Sequence, residues 1–167
     1  DSTTPSFPDA AMDFFLRRSP ESLAVLHEII RADAGFSLDD SPGEEVAEWR
    51  GAGDHRAIVD HLTSRMPAFF LSPSAHAMLS TSLHALGDAD RADNQLNLAG
   101  ISLRIIMESG LGTAEKPWLV LRRADQLDTL ELIEKPSTAH VTREVDGGEL
   151  TIHEDAEGDT IHFFIAM

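Results

Sequence analysis

The chain has no cysteine and no tyrosine, only two lysines (Lys116 and Lys135), and no long apolar run. Without cysteine there are no disulfides, thiolate zinc centres or cysteine nucleophiles. Crossing a bilayer as a helix takes roughly 20 consecutive apolar residues, and no stretch comes near that. Positive charge is scarce: Lys plus Arg number 13 against 29 Asp plus Glu, for a formal net charge of −16. A nucleic-acid partner requires a cationic footprint that displaces counterions, and the only adjacent basic pairs are Arg17-Arg18 and Arg122-Arg123. Nucleic acid and membrane insertion are therefore not expected, and the acidic charge fits a basic protein or peptide, a cationic ligand or a salty environment.

Hydrophobic residues make up 42% of 167 residues, ordinary for one globular domain or two joined parts. The opening Asp1-Ser2-Thr3-Thr4-Pro5 reads as a flexible lead. Localisation stays open between export, with a targeting segment removed upstream, and the cytoplasm.

Helix signals dominate the first two-thirds. A helix opens after Pro8 with Ala11, Met12, Phe15 and Leu16 in register. Ser19-Pro20 supplies an N-cap and a first-position proline, and Leu23, Leu26 and Ile30 follow at helical spacing. After the turn-rich span 36–43, residues 44–50 form a short helix. Asp54 caps the next, with Ile58, Leu62 and Met66 at four-residue steps, stopped by Pro67. Ser72-Pro73 opens another, through Leu79 and Leu83. Gly87-Asp88 breaks it before a long helix from about Ala89 to Ser109, with Ala92, Leu96, Ala99, Leu103 and Ile106 on one face and Gly110 at its end.

The pattern then changes. Trp118–Leu121 is strand-like, Ala124–Ile133 is helical through Leu127, Leu130 and Ile133, and the rest alternates with period two around turns at Gly147-Gly148 and Glu157-Gly158. The fold class is α+β: helical hairpins over residues 1–112, then a small antiparallel β-α-β-β-β unit over 113–167, packed as one body.

Gly53-Asp54 and Gly87-Asp88 lie 34 residues apart, the tetratricopeptide period. The same offset relates Ile58 to Ala92, Leu62 to Leu96 and, further upstream, Ala24 to Ile58. The N-terminal region therefore reads as tetratricopeptide-like helical hairpins.

From His76 onward the order of features resembles an uncharacterised bacterial family, the domain-of-unknown-function 4919 family. The residues that carry the resemblance are His76, Gly87-Asp88 with Ala92, the helix end Ile105–Gly110, Gly112–Trp118, Leu119-Val120-Leu121 and the closing Ile161–Ile165. Leu111 departs from it, since an acidic residue would be expected there. The resemblance implies a short tetratricopeptide-like array with a compact tail and brings no activity.

Candidate chemistry is sparse. With two-residue turns at Gly147-Gly148 and Glu157-Gly158, Val145 faces Leu150, Thr142 faces His153, and His153 faces His162. Two imidazoles so placed, with Glu144 as third ligand, would suit a divalent metal. His76 and His84, eight residues apart on one helix, are candidate binding residues. The alternative for His76 is a core imidazole bonded to a backbone carbonyl near Gly110. Asp88, Asp90 and Asp93 lack the glycine an EF-hand needs, and Gly110–Thr113 runs from helix to strand, opposite to a phosphate loop. No Gly-x-Ser-x-Gly or His-Glu-x-x-His occurs. No cofactor is expected. The chain reads as a non-enzymatic protein- or peptide-binding module with an acidic surface. A small histidine-based metal or hydrolytic enzyme, and a structural or toxin-neutralising surface protein, are the alternatives.

Overall fold

The computed structural model describes residues 3–167, so the lead expected at Asp1 and Ser2 falls outside it. The chain folds in the order α1 (Phe7–Arg17), α2 (Pro20–Ala32), α3 (Pro42–Glu45), α4 (Ala47–Ala52), α5 (His55–Ser64), α6 (Pro73–Ala85) and α7 (Ala89–Glu108). It continues with β1 (Trp118–Leu119), α8 (Ala124–Leu132), β2 (Ala139–Val145), β3 (Gly148–Glu154) and β4 (Thr160–Ala166). This is the α+β order expected, helices first and strands last. The helix starts have a local cause. Ser19, Asp54, Ser72 and Asp88 each accept the backbone N–H three residues on, from Ser22, Ala57, Ala75 and Arg91, which satisfies one of the orphan donors of a first turn.

Three apolar clusters hold these elements. Ile58 and Leu62 of α5 meet Leu79 and Leu83 of α6 and Ala92 of α7. The α1–α2 hairpin brings Phe14, Leu26 and Ile30 onto Phe70 and Leu71, beside Ile101 and Ile105 of α7. Under the sheet, Ile106 and Leu130 pack with Val120, Phe163 and Ile165. Ile106 thus belongs to the sheet's cluster and Leu121 to that of α1–α2, so the two expected regions share their core.

The 34-residue offset holds at the caps Asp54 and Asp88 and at the buried pair Ile58 and Ala92. It breaks one turn later: Leu62 is fully buried, whereas Leu96 is 59% exposed. Ala24 is exposed as well. The inner stripe of α7 is Ala92, Ala99, Ser102 and Ile106, and the first three are small residues that let neighbouring elements approach closely. Ser80 of α6 bonds the Ala92 carbonyl across the α6–α7 contact at 2.8 Å.

The sheet order is β1-β4-β3-β2. β2, β3 and β4 are antiparallel, as expected, but β1 runs parallel to β4, so the sheet is mixed. The hairpin registers also differ from the expected ones. The first turn is Asp146-Gly147, with Val145 opposite Gly148, Thr142 opposite Thr151 and His140 opposite His153. Gly147, at φ 79°, takes the left-handed position. Gly148 is a strand residue because a Cβ there would lie 2.0 Å from the Ile165 carbonyl oxygen and 2.8 Å from the Phe164 ring. Gly148→Ala is accordingly expected to push β3 off β4 and cost about 2 kcal/mol, read as a lowered urea midpoint. The second hairpin has a five-residue loop, Asp155–Asp159, closed by Glu154 opposite Thr160. The Asp155 carboxylate accepts the N–H groups of Glu157 and Asp159 at 2.9 and 3.0 Å, so this acidic run has a structural centre.

Candidate functional site

The polar heart of the molecule lies where β1 leads into α8. Arg122 is fully buried. Its guanidinium pairs with Asp125 at 3.2 Å and donates to the carbonyls of Ala68 and Phe70, the latter at 3.1 Å. Those carbonyls flank a tight segment that ends at Leu71, held at φ 65°, a conformation a branched residue adopts only when its surroundings impose it. Burial pushes the Asp125 carboxyl up, against the pull of Arg122.

One turn further along α8, Asp128 reaches the first turn of α6. Ser74, directly after the N1 proline, donates to its Oδ2 at 2.6 Å. Burial raises the Asp128 carboxyl to about 6, helped by the negative charges of Asp125 and Glu131 and opposed by the Ser74 bond and Arg122. On one side of Asp128 opens a groove of about 480 Å³, with Ile58, Met78 and Leu132 as apolar wall and Glu131, Arg50 and His55 at its polar edge. On the other side a second groove of about 300 Å³ runs toward the β2–β3 hairpin, past Arg123, Thr142 and Thr151. Arg123 is already held there by Glu149 at 2.9 Å and Asp39 at 2.5 Å. Asp128 lines both grooves. Together they make a trough along α8, with Asp128 at its middle.

The sequence-predicted site residues do not come together. His153 lies opposite Ile161, and His162 opposite Ile152. Successive strand residues point to opposite faces, so the two imidazoles are on different sides of the sheet. The five-residue loop causes this, because the expected two-residue turn would have set another register. Glu144 pairs with Glu149, four residues along β2 from the His140–His153 pair, or about 13 Å. Both nitrogens of His153 are occupied, by Ser137 Oγ and Gln126 Oε1, each at 2.8 Å. The metal site read from the sequence is therefore not formed. His153 is pushed down to about 4, mainly by burial and then by His140, and is too weak a base to activate Ser137 at neutral pH.

His76 and His84 are also separated. His76 is buried and His84 exposed, because eight residues turn a helix about 80° past two full revolutions. The partner of His76 is Gln95 Oε1 at 2.7 Å, not a carbonyl near Gly110, and its Nε2 has no protein partner. Burial lowers it to about 4; Arg122 pushes the same way and Gln95 the other.

Asp128 escaped the sequence reading because Leu127, Leu130 and Ile133 suggested the inner face of α8. Leu127 is in fact 49% exposed, and Asp125, Gln126 and Thr129 are buried with Leu130. The available signal was the acidic Asp125 in the first turn after Arg122-Arg123, where a carboxylate accepts the backbone N–H of Arg122 and meets its guanidinium.

Compared with protein-family models, curated proteins and solved structures, the chain matches none. No helix among the described residues is long and apolar enough to cross a membrane.

Proposed function

We propose that the chain is a non-enzymatic binding module that takes a basic segment of a partner protein in the trough along α8. The observation that carries the reading is Asp128. Its carboxyl, raised to about 6, is ionised at neutral pH in a place that disfavours the charge, so the fold is weakened to keep an anion in a groove. Such groups concentrate at functional sites. A Lys or Arg side chain entering beside Asp128 and Glu131 would relieve the strain, while Ile58, Met78 and Leu132 would cover its aliphatic stem. The overall charge of −16 would steer a cationic partner in. The succession α5–α6–α7, with its caps 34 residues apart, supports the tetratricopeptide-like part of this proposal.

The sign of the pH dependence follows. Cation binding favours ionised Asp128, so affinity rises as pH increases through about 6. An arginine-rich peptide titrated by calorimetry is expected to bind in a salt-sensitive manner. Asp128→Asn should weaken it about tenfold and flatten the pH dependence. The same variant should stabilise the fold at pH 8 by at most about 3 kcal/mol, less for solvent screening. A raised folded-state pKa favours folding below the unfolded value and loses that advantage as pH rises through the folded one. The gain should therefore vanish below pH 4. Equal binding by wild type and variant, or insensitivity to salt, would sink the reading.

A further inference from the structure

A second groove lies away from α8, between the α1–α2 hairpin and α7, and its chemistry is the reverse of the trough's. It measures about 440 Å³, and its floor is Phe14, Leu23, Ile101, Ile105 and Leu119. Leu119 is 47% exposed, and Leu23, Ile101 and Ile105 keep part of their surface in water. Through His27, Ile105 and Leu119 the groove is continuous with a smaller, more enclosed cavity of about 90 Å³, lined by Leu71, Leu121 and Phe164. The groove falls within the roughly 300–1,000 Å³ usual for small-molecule sites.

Two arginines stand at its rim, Arg18 and Arg104, and Arg31 borders the inner cavity. Cations are scarce in this chain, and six of its 13 Lys and Arg are paired with a carboxylate. Arg17, Arg65, Arg91, Arg122, Arg123 and Lys135 each lie within 4.0 Å of a carboxylate. Among the described residues seven have no carboxylate at that distance: Arg18, Arg31 and Arg104, which border this groove or the inner cavity, and Arg50, Arg56, Lys116 and Arg143, which border neither. Glu108 is the one acidic residue lining the groove. Arg18 is held in place over the rings of Phe14 and Phe15, 5.4 Å from each centroid. The net result is an apolar furrow edged by unneutralised guanidinium groups on an otherwise acidic molecule.

We infer that this groove binds an anionic amphiphile, a long-chain carboxylate whose head meets Arg18 and Arg104 and whose chain lies along Leu23, Ile101 and Ile105 toward the inner cavity. A basic peptide is repelled by the same arginines. An anionic membrane surface is disfavoured by the overall charge of −16, which acts over a wide face, whereas a single small anion meets only the local field. A guanidinium also pairs with a carboxylate in planar, two-bonded fashion.

The test uses the full chain and dodecanoate below its micelle concentration, followed by calorimetry and by amide chemical shifts. Saturable one-to-one binding is expected, with shifts centred on His27, Ile105 and Leu119. The double variant Arg18→Gln/Arg104→Gln changes two exposed side chains and costs only the contact of Arg18 with Phe14 and Phe15, so it should stay folded with a melting temperature within about 5 °C of the wild type. It should bind dodecanoate at least about tenfold more weakly and keep its affinity for the arginine-rich peptide, which separates this site from the trough. Dodecyltrimethylammonium should bind far more weakly, and phosphatidylglycerol vesicles should not bind. Four results would overturn the assignment: no saturable uptake, uptake indifferent to head-group charge or to the double variant, vesicle binding of the same arginine dependence, or capture of an acidic amphipathic peptide in preference to dodecanoate.

Discussion

Arg122→Ala lowers the stability of the fold by about 3–5 kcal/mol, the usual consequence of removing one partner of a buried ion pair. That is a large part of the roughly 5–15 kcal/mol that holds a domain together. The side chain is fully buried, and its loss leaves three debts unmet. Asp125, also buried, keeps a charge with no cation beside it. The carbonyls of Ala68 and Phe70 lose their donor, and the rings of Phe36 and Phe69 lose the guanidinium 5.5 and 5.8 Å from their centroids. The segment before Leu71 then keeps only its own turn hydrogen bonds, Phe70 N–H to the Pro67 carbonyl and Ser72 N–H to the Phe69 carbonyl, and its apolar contacts. A double variant, Arg122→Met/Asp125→Leu, removes both charges and should sit closer to wild type than Arg122→Ala does, because an uncompensated buried charge costs more than an apolar pair. Urea unfolding of the three proteins measures this. A single variant within 1 kcal/mol of wild type would show that Arg122 does not clamp the segment.

Mild acid is expected to weaken the fold well above the pH at which most carboxylates protonate. His27, His76 and His153 are each lowered to about 4, in every case chiefly by burial. Their unfolded values lie near 6.5. Between pH 6.5 and 4 the unfolded chain therefore binds more protons than the folded one, and stability falls as pH falls. Each shift corresponds to about 3 kcal/mol at full effect, or about 10 kcal/mol for the three. Asp128 and Asp125, both raised, act in the opposite sense and return part of the loss on acidification. The net decrease is several kcal/mol, comparable to the whole stability of a domain. Urea midpoints at pH 7.5, 6 and 5 should decline steadily, and His76→Gln should flatten the slope by about one proton. A midpoint constant from pH 7.5 to 5 would refute the account.

The helices were legible because their signals are local. Ser19-Pro20 and Ser72-Pro73 announce their own starts, and the side chains of Asp54 and Asp88 cap the helices expected after them. The hairpin registers were not, since Gly147-Gly148 and Asp146-Gly147 are both good turn pairs. What assigns Gly148 to the strand is the carbonyl of Ile165, a contact across the sheet that no local pattern encodes. The α8 trough failed to show for the same reason. Asp128 is bound by Ser74, and Arg122 by Ala68 and Phe70, each more than fifty positions away. Long-range polar pairing of this kind leaves no periodicity. The 34-residue spacing carried true information about the caps, but it said nothing of Leu96, whose position in α7 faces solvent.

The outer strand of the sheet has one more effect, on colloidal behaviour. Every residue of β2 is exposed, and the strand ends the sheet with no neighbour beyond it among the described residues. An open edge of this kind templates pairing with other chains. Arg143 and Glu144, set between Val141 and Val145, interrupt the apolar run as gatekeepers. At neutral pH the surplus of negative charge keeps molecules apart. On acidification the buried histidines loosen the interior first, and the repulsion fades only as the pH nears the isoelectric point of about 4.6, so the bare edge meets its neighbours after the fold has already weakened, and precipitation is expected there.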